Sequence, residues 1–106
     1  MRYVVLLFLL TLIFQSSSTN ETGSICGIVM DKDTGVPIAH ANVVVEGTTF
    51  DTLSRGDGSY VITGIPAGEY TIRAMMFGHE TQKKYRITIT AGSSTEVNFA
   101  LEQRGD

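Results

Sequence analysis

From Cys26 to Leu101 the chain repeats one local pattern: a few residues alternating apolar and polar, then a glycine-centred turn. Gly27-Ile28-Val29, Ala41 to Val45, Gly58 to Ile62, Gly68 to Ile72 and Ile87-Thr88-Ile89 carry the alternation. Successive side chains of a strand point to opposite faces, so a period of two with turn signals every ~8–12 residues describes short, one-face-buried strands. Several such strands pack as two antiparallel layers whose own side chains fill the space between them. That leaves little interior for a catalytic cleft.

The N-terminus is of another kind. Met1-Arg2 is a short positive start, Tyr3 to Phe14 is apolar apart from Thr11, and Gln15 to Thr19 is polar and small. This is the layout of a secretory signal peptide, with the helix-forming leader expected over residues 1–18 and cleavage near Ser18. The run is shorter than the ~20 apolar residues a membrane-spanning helix needs. Cys26 lies well beyond it, and Thr22 to Ile25 is no lipidation box. Residues 19–23 read as a flexible lead-in, 24–102 as one β-domain and 103–106 as a C-terminal tail.

Loss of Arg2 with the leader leaves seven basic against eleven acidic residues, a net charge of −4. The only basic cluster is Lys83-Lys84-Tyr85-Arg86. A solvated strand edge accounts for it, and nucleic acid is excluded as a partner. One cysteine cannot form an internal disulfide, so the exported domain folds on its core alone. Cys26 is expected as a buried, inert thiol.

Seven strands follow from the pattern. The first spans 24–31, then Asp31 to Pro37 turns the chain, with Gly35 tolerating positive φ and Pro37 blocking strand continuation. The second spans 41–46 with Ala41, Val43 and Val45 inward; a third, irregular one spans 50–54. Asp57-Gly58 leads into the fourth, with Tyr60 and Ile62 inward. Gly64 to Gly68, including Pro66, bends into the fifth, with Tyr70, Ile72 and Ala74 inward, and Gly78 ends it. The sixth lies near 80–90, burying Ile87 and Ile89, its cations guarding an edge. The seventh buries Val97, Phe99 and Leu101. No helix is expected in residues 24–102.

These landmarks resemble a known family. Gly27-x-Val29-x-Asp31, Thr34 to Ile38, Ala41 to Thr48, Asp57-Gly58-Ser59-Tyr60, Ile65 to Ile72, Gly78-His79-Glu80 and Val97-x-Phe99-x-Leu101 stand in the order and spacing of carboxypeptidase regulatory-like domains. The resemblance covers residues 24–102 and implies a seven-stranded antiparallel sandwich of transthyretin (prealbumin) topology with an accessory, non-catalytic role. Such domains accompany metallocarboxypeptidases and precede the plug of TonB-dependent outer-membrane receptors. His79 stands where the family usually has tyrosine.

Candidate chemistry is sparse. Zinc peptidases need His and Glu ligands with a carboxylate base, whereas His40 and His79 lie outside any such spacing and read as exposed turn residues. Transthyretin-like hydrolases end in Tyr-Arg-Gly-Ser, which Gln103-Arg104-Gly105-Asp106 does not match. Asp31, Asp33 and Asp57 read as turn formers rather than calcium ligands. Arg55-Gly56-Asp57 and Arg104-Gly105-Asp106 spell an integrin tripeptide by chance. No cofactor or metal is expected.

The sequence thus implies a non-enzymatic exported module, periplasmic, outer-membrane-associated or extracellular, with a protein partner in the bacterial envelope. The alternative is a small carbohydrate-binding module. Sugar faces stack on exposed rings, and without tryptophan the candidate surface contacts are Phe50, Phe77 and Tyr85.

Overall fold

A computed structural model describes residues 21–105. The expected leader, residues 19–20 of the lead-in and Asp106 lie outside the described residues. Among those described no helix forms, and eight strands build two sheets. The first sheet holds β1 (Thr22–Asp31), β4 (Ser59–Pro66), β7 (Ser94–Glu96) and β8 (Phe99–Leu101). The second runs β3 (Asp51–Leu53), β2 (Asn42–Val45), β5 (Gly68–Met75), β6 (Gln82–Ile89).

Alternation decides what is buried. Ile25, Val29, Tyr60, Ile62, Phe99 and Leu101 face inward from the first sheet and Val43, Val45, Ile72, Ala74 and Ile89 from the second, forming one apolar core. These are the inward residues that period two assigns, with two exceptions. Tyr70 and Ile87 are only half-buried and pack against the core. They face each other beside a bulge where the β5–β6 register shifts and Arg86 takes φ 57°. The extra residue twists the strand there and turns the pair outward.

The ends of the chain differ from the sequence reading. β1 begins at Thr22, inside the expected lead-in, because Gly23 is buried and paired with Ile65. The seventh strand is two pieces, β7 and β8, and both run parallel to β1, so the first sheet is mixed. At the break between them Val97 and Asn98 take over the ladder. Val97 donates its N–H to the Cys26 carbonyl at 2.8 Å, and Asn98 Oδ1 accepts the Ile28 N–H at 2.9 Å. The buried Tyr60 hydroxyl donates to the Val97 carbonyl, and burial raises its pKa, keeping it a neutral donor. Gly27 makes this approach possible, since a Cβ there would stand 2.0 Å from the Val97 oxygen. Cys26 is half-exposed rather than buried, because it alternates outward between Ile25 and Gly27, with Ser94 Oγ at 3.5 Å.

The expected third and second strands are shortened to Asp51–Leu53 and Asn42–Val45. Lys84, expected as an outward edge cation, is in the inward register opposite Ile72 and holds its ammonium 5.8 Å above the Phe99 ring. Gln82, also inward, accepts the Ala100 N–H at 2.9 Å, and Thr95 Oγ1 donates to the Thr88 carbonyl at 3.1 Å. Side chains thereby join the two sheets along the β6 and β8 side.

Ile72 and Val43 are both fully buried. Ile72→Asp or Val43→Asp is expected to abolish folding, a buried carboxylate without a partner costing several kcal/mol; circular dichroism of the purified variants reads the loss. Gly27→Ala is expected to destabilise by about 1–3 kcal/mol through overpacking, and Gly35→Ala, where a Cβ meets open space but φ is 75°, by about 1–2 kcal/mol through left-handed strain, both read by urea denaturation.

Candidate functional site

The β5–β6 connection forms a tip. His79 donates its N–H to the Met76 carbonyl at 3.0 Å, closing a four-residue turn. Gly78 at φ 83° occupies its third position, where a type II turn requires a left-handed residue. Phe77 therefore stands at the apex with its ring 96% exposed. Beside it opens a shallow groove of about 490 Å³ bordered by His40, Asn42, Met75, Met76, Thr81 and Arg104.

The tip is braced from below. Asp31, at the end of β1, is buried, and each of its carboxylate oxygens takes two donors. Oδ1 accepts the N–H of Asp33 at 2.8 Å and of Thr34 at 3.0 Å, forming the turn after β1. Oδ2 accepts Gln103 Nε2 and His79 Nε2, each at 2.9 Å. An ionised carboxylate only accepts, so the proton between His79 and Asp31 sits on Nε2. Gln103 first, then His79, holds the Asp31 carboxyl well below the usual range, against the opposing effect of burial. Backbone bonds continue the brace: Arg104 N–H to the Gly78 carbonyl and Glu80 N–H to the Glu102 carbonyl, both 2.8 Å.

Two expectations change here. His79 is not an exposed turn residue, its side chain being 17% exposed and engaged by Asp31; only His40 fits that description. Gln103 and Arg104 are not a free tail but are tied to the tip. Asp31 and His79 lie 48 residues apart, and no local spacing links them. The one signal was the histidine in the tyrosine position, a polar ring that needs a partner.

The three candidate rings do not converge. Phe77 is at the tip, level with the Asn42 end of β2, whereas Phe50 follows the other end of β2 and packs half-buried against the core. Tyr85 is exposed along the β6 edge. The turn residues sit where the chain reverses. Gly35 takes φ 75° and Pro37 bridges Met30. Asp57 Oδ1 accepts the Ser59 N–H at 3.0 Å and hydroxyl at 2.6 Å, which lowers its pKa, and Gly58 at φ 82° passes so close to Val29 that a Cβ would stand 2.6 Å from its oxygen. The Pro66 carbonyl accepts the Tyr70 hydroxyl at 2.7 Å beside Gly68. Among the described residues no group of three His, Cys, Asp or Glu is placed to hold a metal ion.

A family model described as carboxypeptidase regulatory-like domain matches residues 24–102. The chain belongs to that family. TonB-dependent receptor P39 of Formosa agariphila is 35% identical to it over 81 residues, which are 74% of this chain and 8% of the receptor. The regulatory-like domain therefore spans under a tenth of that relative. A chain of the type II cohesin–X–dockerin complex of Acetivibrio cellulolyticus superposes with a TM-score of 0.63 at 23% identity, over 73% of this chain and 52% of that one. GBS52, the minor pilin of Streptococcus agalactiae, gives 0.57 at 15% identity, over 81% and 46%. At such identities the likeness is one of fold.

Because Asp31 is ionised with four donors in the fold, its stabilisation is full above the ordinary carboxylate pKa and declines as pH falls from about 4 toward its depressed value. Urea titrations from pH 7 to 2 are expected to show a steeper acid loss for the native chain than for Asp31→Asn, which is less stable at pH 7 but has no such carboxylate to protonate.

Proposed function

We propose that this regulatory-like domain is a non-catalytic interaction module of the cell envelope, exported by its leader, and that it meets a protein partner through the β5–β6 tip. The observation that carries this reading is Phe77. A phenyl ring 96% exposed gains nothing from folding, yet the turn that displays it is fixed by a buried carboxylate and by two backbone bonds from Glu80 and Arg104. A rigid aromatic anchor with a groove beside it is the feature that contributes most at protein interfaces, where ordering costs are already met. The kinship with TonB-dependent receptor P39 supports an envelope setting, since a domain of this type is built into that receptor. The polar groups at the tip support the non-catalytic part. His79 Nε2 donates to Asp31 Oδ2 at 2.9 Å and its side chain is only 17% exposed, so the ring serves to brace the tip.

Nothing favours a carbohydrate platform over this reading, because Phe50, Phe77 and Tyr85 lie on three separate parts of the surface. A photo-crosslinking residue at position 77, with position 85 as control, tests the proposal in the native host. A discrete protein adduct from position 77 in the envelope fraction, lost on adding the unlabelled domain but not its Phe77→Asp variant, is expected. Equal labelling from both positions, recovery of the chain in the cytoplasm with its first 18 residues intact, or a hydrolytic activity abolished by His79→Ala would overturn it.

A further inference from the structure

The strand edges of the sandwich are treated unequally. β6 carries Lys83, Lys84 and Arg86, a bulge at Arg86, and the Lys83 bridge to Glu46 at 3.2 Å. The β8 edge is covered, with Ala100 N–H bonded to Gln82. β3 is three residues long and carries Asp51. These are the means by which edges refuse further strands. β4 pairs with β1 alone, and its sequence, Ser59-Tyr60-Val61-Ile62-Thr63-Gly64-Ile65-Pro66, holds no charge.

The register says which backbone groups are open. Val29 N–H bonds the Gly58 carbonyl, and Gly27 lies opposite Tyr60 and Ile25 opposite Ile62, so Tyr60 and Ile62 direct their backbone groups to β1. Ser59, Val61 and Thr63 direct theirs outward. Ser59 is already served, its N–H by Asp57 and its carbonyl by the Arg55 N–H. Beyond Thr63 the β1–β4 register shifts, Gly64 takes φ 75°, and Pro66 has no N–H. Val61 and Thr63 are left, among the described residues, as a short edge of two donors and two acceptors without backbone partners. Val61 is also 39% exposed, beside Ile28 at 42%.

We infer that this edge pairs with the same edge of a second copy, antiparallel and centred on Ile62. Only an extended backbone meets these groups, and the strand is complementary to itself. A two-fold axis at Ile62 sets Val61 of each copy against Thr63 of the other, so every open N–H meets an open carbonyl, in neutral β-favouring pairs with no like charges opposed. The same operation on β6 would oppose cations. The caps at Ser59 and Gly64 confine the contact and so fix its register. The interface is small, and the association is accordingly weak and concentration-dependent.

Disulfide trapping of the full chain, in the form the cell exports it and with Cys26→Ser, tests the register. In the pairing the Val61 Cα of one copy lies roughly 5.5 Å from the Thr63 Cα of the other, within disulfide reach, while two Val61 or two Thr63 Cα atoms are roughly 9 Å apart, beyond it. Under mild oxidation an equimolar mixture of the Val61→Cys and Thr63→Cys chains is expected to give mixed covalent dimer at least tenfold faster than either chain alone or Tyr85→Cys. Sedimentation of the native chain is expected to show mass rising toward twice the monomer with concentration, a rise abolished by Thr63→Lys with the fold intact by circular dichroism. Equal trapping by the mixture and by each single variant, or a monomer at millimolar concentration, would overturn the pairing. So would a monomer whose Val61 and Thr63 amides gain hydrogen-exchange protection only in envelope extract, which would assign the edge to a partner's strand.

Discussion

The Asp31 carboxylate joins the sandwich to its tip. It closes β1, and a buried carboxylate is tolerated only when its oxygens are filled by donors. Here one oxygen holds the turn that follows β1 and the other holds His79 and Gln103, which belong to the tip and to the segment after β8. Charge-assisted bonds of this kind are shorter and stronger than neutral ones. Three distant parts of the chain thus share a single anion, and the position of Phe77 is a consequence of core packing carried out to the surface.

A second constraint is the close approach of β1 to the chain at Val97. The apolar alternation asks β7 and β8 to face inward on either side of a kink, and the kink has room only because residue 27 lacks a side chain. Asn98 and Tyr60 supply hydrogen bonds where the ladder is interrupted, and among the described residues no buried side-chain nitrogen or oxygen is left without a partner. On the same side of the molecule Gln82, Lys84 and Thr95 fasten one sheet to the other. On the β4 side the Tyr70 hydroxyl makes such a link only at the strand's end, to the Pro66 carbonyl. β4 joins neutrality to an open run of backbone groups, whereas the neutral β8 is covered by Gln82.

Much of this architecture was legible from period two alone. Val43, Val45, Ile72, Ala74, Phe99 and Leu101 point inward as the alternation requires, because a one-residue slip would expose a whole face. What the pattern could not show falls where another force overrides it. Lys84 is inward because an edge position lets its ammonium reach over Phe99 while staying near water. Ile87 is half-exposed because a bulge, which no periodicity encodes, intervenes. Parallel pairing of β7 and β8 with β1 is a matter of chain connection, not of local composition. Among the three candidate rings, the sequence singled out Phe77 without distinguishing it from Phe50, since only tertiary packing decides which aromatic is needed inside. The Asp31–His79–Gln103 cluster was invisible for the same reason: its members are 48 and 72 residues from Asp31.

The tip and the neutral edge are mechanically independent. The tip is held by Asp31, His79 and the Glu102–Arg104 segment, none of which belongs to β4, and the edge is bounded by Arg55, Asp57 and Gly64, none of which touches the tip. Pairing of two copies through the Val61–Thr63 edge therefore leaves both Phe77 rings accessible. Two weakly held tips presented together bind a partner with repeated or neighbouring sites far more tightly than one, because the second contact is made at high effective concentration. A sandwich too small to enclose a ligand can in this way achieve strong, reversible attachment with an aromatic anchor and a few open backbone groups, without any pocket in its core.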